Sequence, residues 1–340
     1  MQIEERILNT IKKYKLINSG EKIICGVSGG PDSMCMLDNL IKLKENLNFE
    51  IIVCHVNHLI RDDSSLDEQY VENYCKQNNI KCYIKRIDVK NIANNKKQST
   101  EEAGRYVRYE FFDEILKKEN AKKIAIAHNK NDKIETIIMN ALRGSGLSGL
   151  KGIEPIRENK YIRPIIELER CEIEDYCNKQ NLNPRIDKTN FINDCTRNKI
   201  RNIVIPYIKK EFNPNIIGTL DRLSLVIDEE DKFLKKITLD VYKKIKIIEE
   251  HGRIVLNLKE FNKLDEVIKK RLILLTIEKT VGSTQNIEKV NLDDIIKLCA
   301  NNIGNKFLMP NKNLKIMVNK GKLEFTDVSR VWIFLSKFRF

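Results

Sequence analysis

No two of the nine cysteines in this 340-residue chain form a Cys-x-x-Cys pair. They are scattered, mostly within apolar runs, where a thiol behaves as a small hydrophobe. That spacing argues against a zinc ribbon, a simple iron–sulfur motif and a disulfide-stapled secreted domain. No uninterrupted apolar run reaches the length needed to cross a bilayer. The N-terminus, Met1-Gln2-Ile3-Glu4-Glu5-Arg6, carries acids and lacks the basic–apolar–small order of a signal peptide. A cytoplasmic protein with no membrane partner is expected. Negative charge is in deficit: 61 Lys and Arg against 48 Asp and Glu give a net charge of +13. A basic surface suits nucleic acid, although charge alone raises those odds only modestly.

The chain is long enough for two domains. Strand-like and helix-like segments alternate through the first half. A leading helix over Leu8 to Leu16 precedes strands at Ile23 to Val27, Phe49 to Val56, Cys82 to Ile87 and Lys123 to Ala127. Helices follow them at Asp32 to Leu47, Ser65 to Gln77, Thr100 to Lys118 and Asp132 to Leu142. Such alternation implies an α/β fold with a doubly wound parallel sheet, and ligands bind beyond the carboxyl ends of its strands. Gly144 to Gly152 reads as a mobile loop. Helices around Arg170 to Gln180 and Cys195 to Lys209 close this part, Pro206 ending or kinking the second. Asn213-Pro214 marks the expected boundary, giving a catalytic domain over 1–213 and a mainly helical domain over 214–340. The latter has helical patterns at Asn215 to Ile248, Leu258 to Lys279 and Leu292 to Ala300, then strand-like alternation over Lys306 to Phe325. Val331 to Phe340 fits no pattern.

The run Ser28-Gly29-Gly30-Pro31-Asp32-Ser33 joins the first strand to its helix. A strand, a glycine-rich turn and a helix N-terminus together make an anion site. The glycines permit positive φ and close approach of a phosphate, Pro31 suits the first helical turn, and Ser28 and Ser33 add hydroxyls. No lysine follows the glycines, so this is not a Walker A loop. The blander reading is an ordinary strand-to-helix turn, and the full six residues at the end of the first strand weigh against it. At His128-x-x-x-Asp132-x-x-Glu135 the spacings place an imidazole and two carboxylates near one face of a helix start. Such a set binds Mg²⁺, grips an ammonium group or moves a proton; a plain acidic helix N-terminus is the alternative. His55 and Asn57, leaving the second strand, suit the adenine or ribose end of a nucleotide, or are simply turn chemistry. Arg105 and the basic helix carrying Arg197 and Arg201 suit phosphate, or form a solvated face.

Together these motifs resemble the PP-loop ATP pyrophosphatase superfamily, and within it the tRNA(Ile)-lysidine synthases. The matching pieces are Ser-Gly-Gly-Pro-Asp-Ser at 28–33, His-Val-Asn-His at 55–58 with Arg61, and Glu-Ala-Gly-Arg-Tyr at 102–106. They continue with Ala-His-Asn-Lys-Asn-Asp-Lys-Ile-Glu-Thr at 127–136, Arg-Gly-Ser-Gly at 143–146, Arg163-Pro164, and Asp-Lys-Thr-Asn leading to Arg-Asn-Lys-Ile-Arg over 187–201. The set covers roughly the first two-thirds of the chain. Asn131, Gly104, Lys133 and Lys199 depart from the usual family residues, and Lys133 adds positive charge beside Asp132. Many relatives continue into a further C-terminal domain, so the chain resembles a shorter form.

The resemblance implies ATP and Mg²⁺ as cofactors, and L-lysine and an isoleucine tRNA with a CAU anticodon as partners. It implies adenylylation of the wobble cytidine, attack by lysine, and release of AMP and pyrophosphate. Ser28 to Ser33 would hold pyrophosphate, Asp32 the metal, and Asp132 and Glu135 the substrate lysine with His128 nearby. Arg105, Arg143, Arg197 and Arg201 would steady phosphates or RNA. Alternatives are a tRNA thiolation enzyme on the same fold, a small-molecule amide ligase, and a non-catalytic RNA-binding protein. Self-association into a homodimer stays open.

Overall fold

A computed structural model describes residues 2–59, 64–185, 193–301 and 306–329. Arg61, the segment Asp187 to Asn190 and Val331 to Phe340 lie outside them. The chain divides into two compact units, Met1–Ile227 and Asp228–Phe340.

The first unit runs α1 (Ile3–Tyr14), β1 (Lys22–Gly26), α2 (Pro31–Leu47), β2 (Glu50–Asn57), α3 (Ser64–Gln77), β3 (Lys81–Arg86), α4 (Val89–Lys96), α5 (Thr100–Lys118), β4 (Lys123–Ile126) and α6 (Lys130–Leu142). It continues with α7 (Leu147–Leu150), β5 (Ile156–Arg157), β6 (Tyr161–Ile162), α8 (Arg170–Lys179), α9 (Thr196–Lys199), a π-helical turn (Ile200–Val204), α10 (Ile205–Glu211) and the start of α11 (Ile216–Ile245). The sheet order is β3-β2-β1-β4-β6-β5. All pairs are parallel except β5 with β6.

Alternation along the strands sends side chains to both faces. Ile23, Cys25 and Val53 pack with Leu37, Leu40 and Ile173 on one side. Ile24, Ile52 and Cys54 pack with Phe111, Phe112 and Ile115 of α5 on the other. Gly26 lies so close to Phe112 that a Cβ there would stand 2.6 Å from the ring. This is the doubly wound parallel sheet that the alternating segments imply. Chain order reverses between β1 and β4, which opens a crevice at their carboxyl ends.

Several elements depart from the sequence reading. The expected mobile loop at 144–152 contains α7, and Asn140 Nδ2 donates to Gly149 O at 2.8 Å. The helix expected over Cys195 to Lys209 starts at Thr196 and carries the π-helical turn, which ends at Val204, two residues before Pro206. A residue without an N–H cannot continue an ordinary ladder, and the wider turn absorbs the gap. The unit boundary falls inside α11, at 227–228 and not at 213–214, because Asn213-Pro214 only separates α10 from α11.

The second unit is less helical than its sequence suggests. After α11 come β7 (Lys246–Glu250), β8 (Arg253–Asn257), α12 (Leu258–Asn262), α13 (Glu266–Val281), α14 (Lys289–Asn301), β9 (Phe307–Asn311), β10 (Leu314–Asn319) and β11 (Lys322–Asp327). The five strands form an antiparallel sheet in the order β7-β8-β11-β10-β9. The helix expected to reach Ile248 stops at Ile245 because β7 and β8 turn back on each other, with Gly252 at φ 80°. Ile254, Leu256, Phe261, Ile273, Ile277 and Phe325 sit at the centre of this unit's core.

Candidate active site

Within the loop after β1, Gly29 has φ 88°, a left-handed conformation that favours glycine. Pro31 opens α2, so its missing N–H removes no helical bond. Ser33 Oγ donates to Gly30 O at 3.0 Å and accepts from Ser28 N at 3.2 Å. Ser28 Oγ lies 3.2 Å from Ser33 Oγ and accepts from Gly30 N at 3.4 Å. The two serines thus close the turn on itself and leave α2's first-turn amides without helical acceptors. Arg185 N donates to Gly29 O at 2.9 Å, buttressing the loop from outside.

The hub of the crevice is Asn129, which is fully buried. It caps α6: its Oδ1 accepts from Asp132 N at 3.0 Å, and its own N–H donates to Asp132 Oδ2 at 3.1 Å. Its Nδ2 reaches across to Asp32 Oδ1 at 2.7 Å. One amide therefore ties the glycine-rich loop to the acidic helix start. Asp32 and Asp132 are close enough to feel each other. Burial first, and Asp132's charge second, push the Asp32 carboxyl up to about 6 from an ordinary 3.8. Arg170 Nη2, 3.8 Å from Asp32 Oδ2, offsets part of this.

Arg201 projects from the π-helical turn into the same group. Its Nε donates to Glu135 Oε1 at 2.6 Å, and its Nη2 donates to Glu135 Oε2 at 2.8 Å and Asp132 Oδ1 at 3.0 Å. Arg197 adds Nε at 3.6 Å from Glu135 Oε2 and donates Nη2 to Thr136 Oγ1 at 3.1 Å. The Glu135 side chain is only 1% exposed. Burial raises its pKa, and the Arg201 hydrogen bonds work against that rise.

His128 follows β4, and its Nδ1 lies 3.0 Å from Arg163 Nε. Burial pushes the imidazole down to about 3, against the attraction of Asp132. His55 is buried at the end of β2, with Nδ1 2.9 Å from Val27 O and, among the described residues, no hydrogen-bond partner for Nε2. Burial lowers its pKa also.

The structure thus brings together Ser28 to Ser33, Asp32, Asp132, Glu135, Arg197 and Arg201. Three other predicted residues stand differently. Asn57 spends its amide on the chain: Nδ2 donates to Ser64 O at 3.2 Å and Glu68 Oε2 at 3.1 Å, and Oδ1 accepts from Leu59 N at 3.0 Å. This is the turn chemistry that stood as the alternative for Asn57. Arg143 is the exposed cap at the opposite end of α6 from Asp132, roughly 16 Å along the axis at 1.5 Å per residue. Arg105 is exposed on α5, its guanidinium 4.8 Å from the centre of the Tyr109 ring and near enough to His128 to help lower the imidazole's pKa. Lys133 turns from Asp132 to an ion pair with Asp221 at 2.7 Å, so its charge is spent away from the carboxylates.

The sequence reading gave no role to Asn129, Arg163 or Arg170. Asn129 was detectable as half of an Asn-x-x-Asp capping box. The reach of Arg163 and Arg170 depends on tertiary placement alone.

Residues 1–208 match the PP-loop domain family. The chain is 43% identical over 318 residues to a tRNA(Ile)-lysidine synthase of Clostridium acetobutylicum, covering 93% of this chain and 68% of that protein. It is 41% identical to the Clostridioides difficile protein of the same name, covering 96% of this chain and 71% of the other. The chain belongs to the tRNA(Ile)-lysidine synthase family. The Caldanaerobacter subterraneus lysidine synthase is 39% identical, over 96% of this chain and 72% of its own length. Among solved structures, the U34-tRNA thiolase NcsA from Methanococcus maripaludis, with its [4Fe-4S] cluster, superposes with a TM-score of 0.54 at 19% identity. That match covers 66% of this chain and 78% of the thiolase, and it is a likeness of fold. Among the described residues no helix is long and apolar enough to cross a membrane.

Proposed function

We propose that this chain uses ATP to join L-lysine to C2 of the wobble cytidine in an isoleucine tRNA with a CAU anticodon. The observation that carries the reading is the joining of the glycine-rich loop to the Asp132–Glu135 carboxylates through Asn129. A phosphate grip and an ammonium grip then share one crevice in a member of this family.

The cytidine C2 oxygen attacks the α-phosphorus, the bond to the β-phosphate breaks, and pyrophosphate leaves. The free first-turn amides within 28–33 hold the leaving group, and the Ser28 and Ser33 hydroxyls join them by giving up their contacts within the loop. The ε-nitrogen of lysine then attacks C2, and AMP departs with the former C2 oxygen. Asp132 and Glu135 bind the ammonium groups of lysine, and His128 faces the reacting atoms. Arg105 and Arg197 balance phosphate charge, and Arg143 meets RNA. Arg201 already covers Asp132 and Glu135. Lysine therefore enters by sharing these carboxylates with Arg201 or displacing it.

Asp32 is the residue that would hold Mg²⁺. Its raised pKa reports a carboxylate short of compensating positive charge, which a divalent cation supplies. When bound, the ion would screen the charge of the polyphosphate. The attacking amine must be neutral, whereas a free ammonium ionises near pH ~10.4. The proton passes to a carboxylate of this group, since burial holds the His128 imidazole well below its usual range and Arg163 Nε faces its Nδ1.

Incubation with ATP, Mg²⁺, labelled lysine and tRNA transcripts tests the reading. The isoleucine CAU transcript should take up label with one AMP released per lysine, and methionine transcripts should not. Absence of label on that transcript overturns it.

A further inference from the structure

Arg163 is a buried cation with no carboxylate against its Nε. Only 3% of the residue is exposed. It follows β6, which pairs in parallel with β4 at Ile124↔Tyr161 and Ala125↔Ile162. Continuing that register sets Arg163 beside Ile126, where β4 ends and His128 N turns back to donate to Ile126 O at 2.9 Å. Pro164 restricts Arg163 to extended backbone. Arg163 N donates to Pro155 O at 3.0 Å, and its Nη1 donates to Glu154 O. The backbone is thus fixed on both sides, the Glu154 carbonyl holds one end of the guanidinium, and its Nε–H points at His128 Nδ1 across 3.0 Å.

A guanidinium has no acceptor, so the Nδ1 lone pair must accept this bond. In a neutral imidazole the other nitrogen then carries the hydrogen. The charged groups acting most strongly on the ring are Asp132 on α6, Arg163 just after β6, Arg105 on α5 and Arg197 on α9. Three cations against one anion oppose an imidazolium. Among the described residues His128 Nε2 has no hydrogen-bond partner in the chain, so its N–H is free for a ligand.

We infer that Arg163 is a positioning residue that fixes His128 as the neutral Nε2–H tautomer. His128 then serves as a hydrogen-bond donor to an oxygen bearing developing negative charge, and not as the base that deprotonates lysine. The tautomer follows from the Arg163 contact alone, and its use in catalysis rests on the reading in the preceding subsection. In that reaction the oxygen is one on the α-phosphate or the former C2 oxygen of cytidine, and no proton is transferred to His128.

Long-range ¹H–¹⁵N correlation on the full chain labelled at histidine reads the tautomer directly, with His128 assigned by its loss in His128→Gln. The expected result is a protonated Nε2 and an unprotonated Nδ1, unchanged between pH 8.5 and pH 6. A proton on Nδ1, or an imidazolium at pH 6, overturns the inference without any substitution at Arg163. Arg163→Gln should give a mixed or titrating His128 signal. It should also lower kcat for lysidine formation by roughly tenfold or more, with KM for ATP and lysine little changed. An unaltered tautomer with unaltered kcat in a folded Arg163→Gln overturns it. His128→Gln keeps an N–H near the Nε2 position and should retain activity that His128→Ala loses by about 10²–10³. Equal loss in both refutes the donor role. Should the parent fail to lysidinylate tRNA, the catalytic reading fails, while the tautomer measurement still decides the positioning.

Discussion

Replacing Asp32 with asparagine should stabilise the protein while removing its activity. The carboxyl is raised from 3.8 to about 6 by burial and by Asp132. At about 1.4 kcal/mol per unit, its ionised form costs the folded state about 3 kcal/mol. The folded pKa lies above the unfolded one, so the penalty is full above about pH 6 and fades towards pH 3.8. An asparagine side chain there would keep an oxygen for the Asn129 Nδ2 donor but carry no charge. The Asp32→Asn variant should therefore gain about 3 kcal/mol in denaturant unfolding at pH 7.5. In thermal unfolding of a unit this size that is roughly 6–12 °C. The gain should shrink steadily between pH 6 and pH 4. AMP release should be abolished, with tRNA binding largely intact. A variant no more stable than the parent at pH 7.5, or a gain constant down to pH 4.5, would refute the electrostatic account. Loss of tRNA binding would show that Asp32 serves the RNA and not the nucleotide.

Arg201→Met should destabilise the first unit by about 3–5 kcal/mol, because it strands the Glu135 carboxylate, 1% exposed, without its main cation. Adding Glu135→Gln should recover much of that loss, and a strictly additive double mutant in urea melts would contradict the pairing. Asn129→Ala removes the α6 cap, worth about 1 kcal/mol, together with the bridge to Asp32. Its AMP formation should fall far more than its stability does, and parallel losses in the two measurements would count against a bridging role.

Two kinds of information separate here. Local chemistry was readable from neighbouring residues. Ser28 to Ser33 carry their own turn geometry, and the Asp132–Glu135 spacing puts two carboxylates on one helix face. The β1–β4 alternation required a parallel sheet with its site at the carboxyl ends. The second unit was harder to read. Lys246 to Glu250 continues a helical apolar pattern and becomes a strand only because β8 pairs with it across Gly252.

Sequence alone thus determined the phosphate loop, the acidic helix start and the parallel sheet, because each rests on backbone geometry and side-chain spacing within a few residues. Tertiary structure decided which groups answer one another. Asn129 meets Asp32 from 97 residues away, Arg201 meets Glu135 from 66, and Arg163 meets His128 from 35. Those contacts settle which carboxylate is strained, which is neutralised and which imidazole nitrogen is left to donate. They arise where β1, β4 and β6 end side by side and a π-helical turn aims Arg201 into the gap. Desolvation in that crevice gives each pairing its energetic weight, and only the folded chain creates it.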